Sequence, residues 1–362
     1  MQVVVLGAGN IGKLIACLLA NTSEYEVTLA DAQVKDFNKE TLGTAQDKIE
    51  LASVDATDAR ALASFFKKKQ PVGVVSALPF FCNPLVAEQS KAVGAHYFDL
   101  TEDTQVTEAV SKLSKGAKQA FVPQCGLAPG LISIVANDLM KEFEKIDSVS
   151  LRVGALPVHP NTVLKYALTW STEGLINEYG NPCYAIVNYD RFALQPLEGL
   201  ETIEIDGMVY EAFNTSGGLG SLVKSYDGQV RNLTYKTIRY PGHCEKIRLL
   251  MNDLRLNEDR ETLQKILEKS VPRTTDDVVI VYVLVTGMLE GQYMQRTFVK
   301  KVYPKTIADR RWAAIQVTTA TCLCSVVDIV LQNPDKYQGE IRQEQFALDD
   351  IFSNRFGQHI KV

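Results

Sequence analysis

The sequence predicts an α/β protein, with a doubly wound parallel sheet first and a second domain of the α+β class after it. One observation is a short apolar strand, Val3–Leu6, that runs into a glycine loop and then into an apolar helix. Another is the alternation of continuously apolar strands with helical stretches up to about residue 122, which is typical of a parallel sheet covered on both faces. From about residue 147 the strands alternate apolar and polar residues. This change predicts a mixed or antiparallel sheet with a few helices.

The glycine loop predicts the phosphate-binding start of a dinucleotide-binding (Rossmann) domain. Gly7 permits a tight turn out of the strand, Gly9 lets a pyrophosphate approach bare backbone, and Gly12 lets the helix pack closely on the sheet. The helix then begins at Asn10 and Ile11, where free N–H groups and the positive end of the helix dipole favour a phosphate.

Two acids that end the next strands are further candidates for the cofactor site. Glu26–Ala30 reads as the second strand and ends at Asp31, about twenty residues after the glycines, where an acid accepts hydrogen bonds from the adenosine ribose. No arginine follows at once to hold a 2′-phosphate, so we expect NAD, with NADP the less favoured cofactor. Asp55, after the strand Ile49–Val54, borders the adenine pocket or starts a helix. The alternative for Asp31 is a turn cap.

The remaining elements follow from apolar periodicity. In the first domain we predict strands at Val72–Ala77, His96–Leu100 and Gln119–Pro123, and helices at Pro84–Val93, Asp103–Lys118 and from Gly130 to about Phe143. In the second we predict strands at Ser148–Val153, Leu200–Ile205, Thr234–Tyr240, Val278–Val285 and Thr297–Val302, and helices at Ser171–Glu178 and His243–Leu254. Trp312–Leu331 is apolar enough to be considered as a membrane span, but its internal polar residues favour a buried interdomain helix.

Composition excludes several classes of function. The 362 residues carry a formal net charge of −5, which argues against a nucleic-acid partner. We expect no membrane partner and no secretory signal, and the seven scattered cysteines fit reduced thiols in a cytoplasmic enzyme. The four widely separated histidines form no metal-site pattern.

The ends of the first-domain strands carry the candidate catalytic residues, because ligands of such sheets bind beyond the carboxyl ends of the strands. Ser76, Ala77 and Leu78 follow the fourth strand and are expected beside the nicotinamide ribose and the substrate. Asp99 ends the fifth strand and Cys125 follows the sixth. The alternatives are a helix start for Asp99 and a small buried hydrophobic residue for Cys125.

The second domain offers groups for an anionic substrate. Thr215, Gly217 and Gly218 lie in a loop that could present hydroxyl and N–H groups to a carboxylate, or form a hairpin tip. Arg239 ends a strand and could clamp a carboxylate, or form a surface ion pair. His243 begins a helix, as a base or as a cap.

Together these motifs resemble the saccharopine dehydrogenase-like family, bacterial lysine 6-dehydrogenase and saccharopine reductase in particular. The segments that carry the resemblance are Gly7–Gly12, Ser76–Pro79, Phe98–Leu100, Cys125–Gly130, Gly154–Pro157, Trp170–Tyr179, Asn214–Gly220 and Arg239–His243. Pro79–Cys82 replaces an aromatic-rich segment of saccharopine reductase, and the Gly217–Gly220 loop and Pro241–His243 look more like lysine 6-dehydrogenase.

The resemblance implies an NAD(P)-dependent enzyme that acts on a C–N bond of lysine or a lysine conjugate. It implies a Rossmann domain of residues 1–123 and about 306–362, a substrate-binding and dimerisation domain of residues 124–305, and a homodimer. The family's active-site acid and cysteine match Asp99 and Cys125, and Arg239 matches an arginine near the substrate carboxylate.

Amine oxidation by hydride transfer needs a neutral amine and therefore a base, for which Asp99 is the first candidate and His243 the second. Asp99 could instead anchor a substrate ammonium. A semialdehyde dehydrogenase with Cys125 as nucleophile and a non-catalytic NAD-binding regulator are the competing hypotheses.

Overall fold

The protein is described by a computed structural model that covers residues 1–34 and 37–361. The chain divides into two compact units. The first unit comprises Met1–Ile134, Lys305–Trp312 and Gln316–Val362, and the second comprises Val135–Pro304 and Ala313–Ile315.

The strands and helices of the described residues are as follows, in chain order. The strands are β1 (Gln2–Leu6), β2 (Glu26–Asp31), β3 (Ile49–Ser53), β4 (Gly73–Ser76), β5 (His96–Asp99), β6 (Ala120–Val122), β7 (Lys145–Pro157), β8 (Cys183–Val187), β9 (Asp190–Leu194), β10 (Glu201–Ile205), β11 (Met208–Asn214), β12 (Asn232–Arg239), β13 (Asp277–Leu289), β14 (Gln292–Val302), β15 (Lys305–Ile307), β16 (Arg310–Trp312) and β17 (Gly339–Glu340). The α-helices are α1 (Asn10–Ala20), α2 (Ala59–Lys69), α3 (Asn83–Val93), α4 (Thr104–Ser114), α5 (Leu131–Met140), α6 (Thr172–Gly180), α7 (Leu222–Ser225), α8 (His243–Arg248), α9 (Arg260–Ser270), α10 (Ala314–Gln332), α11 (Leu348–Ser353) and α12 (Gln358–Lys361).

The first unit is built on a parallel sheet, as the continuous apolar strands predict. Within the described residues its seven strands run in the order β3-β2-β1-β4-β5-β6-β17, and every neighbouring pair is parallel. After β1 the chain adds β2 and β3 on one side of that strand, and it then returns to add β4 and the later strands on the other side. This reversal makes the boundary between β1 and β4 the topological switch point, where doubly wound folds bind ligands. The predicted α/β class is confirmed.

Helix α10 belongs to the core of the first unit over most of its length. Among residues 1–34 and 37–361 it is the one helix long and apolar enough to cross a membrane, and 83% of its apolar window is buried in the protein. Its Asp328 accepts a hydrogen bond from the Tyr25 hydroxyl at 2.5 Å and pairs with Arg355. These contacts join α10 to Tyr25, which directly precedes β2, and to Arg355.

The second unit contains a mixed sheet. Its main path is β10-β11-β12-β7-β13-β14, with the hairpin β8–β9 attached to β12. β7 and β12 are parallel, while β13 pairs antiparallel with both β7 and β14. The expected α+β character with a mixed sheet is therefore confirmed.

Several element bounds differ from the sequence prediction. The helix predicted to reach Lys118 ends at Ser114, and the one predicted to reach Phe143 ends at Met140. The predicted helix His243–Leu254 is α8 to Arg248, followed by one π-helical turn, Leu249–Asp253. Strands β8, β9 and β11, helix α9 and the 3₁₀ segment Lys39–Lys48 were not predicted.

Candidate functional site

Two glycines of the first loop are required by the fold itself. Gly7 has φ +100°, and a Cβ built on it would lie 2.6 Å from the Ala77 carbonyl oxygen. A Cβ on Gly12 would lie 1.9 Å from the Gly7 carbonyl oxygen. The close approach of β1, α1 and the end of β4 therefore depends on both glycines.

Gly9 differs because the fold does not need it. Its φ is −69°, which any residue adopts, and a Cβ built there meets nothing within 4 Å. The first turn of α1, with Asn10 exposed and Ile11 half-buried, has no side-chain cap and no acidic residue. Open space beside bare backbone at an uncapped helix start fits the pyrophosphate of a dinucleotide.

The acids at the ends of β2 and β3 lie on the same carboxyl edge of the sheet. Asp31 accepts hydrogen bonds from the N–H groups of Ala8 at 2.8 Å and Gln33 at 2.9 Å, which ties it to the glycine loop. Asp55 is exposed and accepts bonds from the N–H and the hydroxyl of Thr57. These two bonds lower the pKa of Asp55.

Ser76, Ala77 and Leu78, at the end of β4 and just after it, make contacts within the first unit. Ser76 is buried, and its hydroxyl donates to the Asn83 side-chain oxygen at 2.7 Å. Ala77 donates its N–H to Leu6 at 2.8 Å, and Leu78 is half-buried beside Gly7. The backbone of this segment borders the switch point, and its place beside the nicotinamide ribose stays a prediction.

Asp99 is a fully buried carboxylate at the end of β5. One oxygen accepts from the N–H groups of Thr101 at 2.9 Å and Gln124 at 3.0 Å, and the other accepts from the Tyr97 hydroxyl at 2.8 Å. Burial raises the pKa of Asp99 to about 6, because these three donors only partly offset the loss of water.

Cys125 lies beside Asp99 but is not an activated thiol. Its N–H donates to the Asp99 carbonyl oxygen at 2.8 Å, and its thiol donates to the Val122 carbonyl oxygen at 3.0 Å. Gln343, from the carboxyl-terminal part of the unit, lies 3.5 Å from Sγ. Burial and the neighbouring Asp99 hold the pKa of this thiol well above its ordinary value. A buried neutral thiol is inert, which argues against the thioester route.

Arg239 in the second unit is buried in a polar and aromatic cluster, with 2% of its surface exposed. Nε donates to the Tyr179 hydroxyl at 2.7 Å, Nη1 to the Ile238 carbonyl oxygen at 2.9 Å, and Nη2 lies 3.5 Å from Glu178 Oε2. The rings of Tyr166 and Tyr179 lie 5.1 and 5.6 Å from its Cζ. Burial opposes the charge, but Tyr179 and Glu178 hold the pKa of Arg239 above its ordinary value.

His243 is held in one tautomer by this cluster. Nδ1 lies 2.8 Å from the Leu164 carbonyl oxygen, which can only accept, so Nδ1 carries the proton. Nε2 then accepts from the Tyr179 hydroxyl at 3.0 Å. Burial and the nearby Arg239 charge lower the pKa of His243 to about 3. The imidazole is neutral with both nitrogens occupied, so the arrangement suits positioning of Tyr179 better than proton transfer.

The Thr215–Gly218 loop lies against helix α6. The Ser216 N–H donates to the Glu178 carbonyl oxygen at 2.9 Å. Gly217 has φ +88°, and a Cβ on Gly218 would lie 2.3 Å from the Tyr235 ring, so local geometry requires both glycines. Thr215 has 2% of its surface exposed, and its hydroxyl has no hydrogen-bond partner among residues 1–34 and 37–361.

The structure thus collects the predicted residues into two groups, one in each unit. Asp99 and Cys125 are joined in the first unit, and Arg239 and His243 in the second. Sequence reasoning missed Glu178 and Tyr179 as members of the second group, although both lie in the motif Trp170–Tyr179. In the described part of the chain no three His, Cys, Asp or Glu side chains are grouped to hold a metal ion.

The strand order and the glycine loop define a dinucleotide-binding protein of the doubly wound class. Residues 3–123 match the saccharopine dehydrogenase NADP binding domain, and residues 126–359 match the saccharopine dehydrogenase C-terminal domain. The chain belongs to the saccharopine dehydrogenase family of oxidoreductases, as the motifs predict.

Curated relatives match part of the chain, and solved structures share its fold. The mitochondrial alpha-aminoadipic semialdehyde synthase of Rattus norvegicus is 24% identical over 207 residues, which are 52% of this chain and 20% of the relative's length. The Mus musculus protein of the same name is 24% identical over 196 residues, with the same shares. The apo saccharopine dehydrogenase (L-Glu forming) of Saccharomyces cerevisiae has a TM-score of 0.78 at 16% identity, over 97% of this chain and 96% of that one. The C. glutamicum DAP dehydrogenase in complex with DAP has a TM-score of 0.51 at 11% identity, over 97% and 95%.

These matches support a nicotinamide dinucleotide as the cofactor. The family that matches the first unit is described as NADP binding, so the match does not support the preference for NAD that we predicted from Asp31.

Proposed function

We propose that this protein is a dehydrogenase that oxidises a C–N bond of lysine or of a lysine conjugate, with oxidative deamination at C6 of lysine as the first choice. The observation that carries the proposal is the uncapped helix start with open space at Gly9, located at the β1/β4 switch point of a chain of the saccharopine dehydrogenase family. The bound dinucleotide would accept a hydride from the amine carbon.

Asp99 is the preferred base for the substrate amine. Its pKa of about 6 leaves the carboxylate ionised at neutral pH yet close enough to accept a proton. The second role, anchoring a substrate ammonium, also uses this carboxylate. His243 is the weaker candidate because of its pKa of about 3 and its two occupied nitrogens.

We propose NAD as the preferred dinucleotide. The carboxylate of Asp31 is held at the end of β2 by two N–H donors, where it can accept from the two ribose hydroxyls. A 2′-phosphate there would place like charges together.

Lysine is favoured over saccharopine by the charges of the second unit. Its two buried arginines each face a glutamate, Arg239 with Glu178 and Arg152 with Glu201. A single substrate carboxylate can use Arg239, whose contact with Glu178 is long at 3.5 Å. A conjugate with additional carboxylates would need a second arginine, and Arg152 is already held closely by Glu201.

The test is a spectrophotometric screen for reduced cofactor, with NAD and NADP, on lysine, saccharopine, ornithine and carboxynorspermidine, with ammonia measured in parallel. Reduction with lysine and release of ammonia is the expected result. Turnover of saccharopine or carboxynorspermidine without ammonia would replace the first choice with the second. A folded protein that binds NADH and oxidises none of these amines would support the non-catalytic regulator. The homodimer and the cytoplasmic location stay predictions.

A further inference from the structure

The pair Glu178–Arg239 retains unused hydrogen-bonding capacity although both side chains are buried. The side-chain exposures are 9% for Glu178 and 3% for Arg239. Three of the five guanidinium N–H groups have partners in the described part of the chain, one of them at the long distance of 3.5 Å. Each Glu178 oxygen accepts one bond, from Thr237 or Arg239, and so keeps one further lone-pair direction.

The contact between Glu178 and Arg239 is looser than a bidentate ion pair. Arginine–carboxylate pairs frequently form two parallel, shorter N–H···O bonds, whereas Glu178 and Arg239 share one contact at 3.5 Å. The guanidinium is oriented instead by the Tyr179 hydroxyl and the Tyr166 ring. Nη1 and Nη2 each donate one bond and so each keep one further N–H group, and the Glu178 carboxylate lies beside Nη2.

We propose that Glu178 and Arg239 together recognise the α-ammonium and α-carboxylate of a zwitterionic amino-acid substrate. The substrate carboxylate binds the free N–H groups of Arg239, and the ammonium binds the remaining lone pairs of Glu178. Because the pair is neutral overall, it matches a head group that is also neutral overall. This inference rests on the proposed function and assigns the ammonium-binding role to Glu178.

The test compares three substrates that share the reacting amine: lysine, 6-aminohexanoate, which lacks the α-ammonium, and 1,5-diaminopentane, which lacks the carboxylate. For the natural sequence we expect kcat/KM for lysine to exceed that for 6-aminohexanoate about 10- to 100-fold, the range of a charge-assisted contact. In Glu178→Gln the ratio falls at least about tenfold, because only lysine loses a partner. Glu178→Asp keeps the charge and gives a smaller fall.

Glu201→Gln is the matched control, because Glu201 pairs with the other buried arginine of the same sheet. It should leave the substrate ratio unchanged. The unfolding curve of Glu178→Gln shows whether that variant is folded. If it is folded and its substrate ratio stays within about threefold of the natural protein's ratio, the inference is overturned and the proposed function is unaffected.

If the natural protein oxidises none of the three compounds, the proposed function fails. The inference is then tested separately by calorimetric measurement of lysine and 6-aminohexanoate binding. Tighter binding of lysine than of 6-aminohexanoate, abolished in Glu178→Gln, would support zwitterion recognition. Absence of lysine binding, or equal binding of both compounds, would overturn it.

Discussion

Replacement of Asp99 by asparagine should change how the stability of the protein depends on pH. Asparagine keeps an oxygen for the Thr101 and Gln124 N–H groups but cannot ionise. The pKa of Asp99 is 3.8 in an ordinary setting and about 6 when buried in the folded protein. The folded state therefore binds this proton more tightly than the unfolded state does.

The sign of the effect follows from this difference. The contribution of Asp99 to stability is greatest below its ordinary pKa and is lost as the pH rises through about 6, above which it stays constant. Integrated over both titrations, the change between about pH 4.5 and about pH 8 is about 2 kcal/mol. Over this pH interval the free energy of unfolding of Asp99→Asn should rise by that amount relative to the natural protein. Altered hydrogen bonds would add a constant difference that does not change with pH.

The assay is urea unfolding of both proteins at several pH values. Tyr97→Phe provides a companion variant, because it removes a donor that lowers the pKa of Asp99. The pH-dependent change should extend to higher pH in that variant. A stability difference between Asp99→Asn and the natural protein that is constant across the range would show that the buried carboxylate titrates with an ordinary pKa, and the reasoning on Asp99 would be refuted.

Three further predictions concern the first unit. Gly9→Ala should leave the melting temperature unchanged but weaken dinucleotide binding at least about tenfold, because the added methyl group would crowd the pyrophosphate. The matched Gly12→Ala should destabilise the fold, since its Cβ meets backbone at 1.9 Å. Equal effects on melting in the two variants would contradict the assignment of open space at Gly9. Asp31→Arg should weaken NAD binding far more than NADP binding in a calorimetric titration, and equal losses would remove the ribose argument. Iodoacetamide should not alkylate Cys125 in the native protein, since its thiol is buried and its pKa is raised; alkylation with parallel loss of activity, detected by mass spectrometry, would revive the thioester route.

The first unit was predictable because its signals are local. The apolar strand β1 and the glycine loop after it are consecutive in the sequence, so they can be recognised as one motif. The parallel sheet follows because the strand–helix alternation repeats along the chain. The sequence does not distinguish the roles of the three glycines, but the structure does. Packing requires Gly7 and Gly12, whereas a Cβ on Gly9 would meet nothing within 4 Å.

The missed hairpins of the second unit have two different causes. Asp206 and Gly207 join β10 to β11 with φ values of 53° and 75°, and an Asp-Gly pair between strands is a strong hairpin signal that was present in the sequence. Strand β9 gave no such signal, because four of its five residues are exposed and show no apolar alternation.

Glu178 could not be recognised from the sequence because its role depends on a strand about sixty residues further along the chain. Its helix reads as an ordinary amphipathic segment, with Leu175 and Tyr179 on the buried side. Only the fold brings its carboxylate to Arg239 and Thr237 on β12.

The first unit is assembled from separate stretches of chain, and this has a consequence for its synthesis. Strand β17 adds to the edge of β6, and Gln343 donates to the Pro123 carbonyl oxygen at 2.8 Å. A nascent polypeptide leaving the ribosome must therefore hold β6 with one edge unpaired while the whole second unit emerges. During that interval the edge of β6 is open to unwanted strand pairing, and the Cys125 thiol lacks its contact with Gln343.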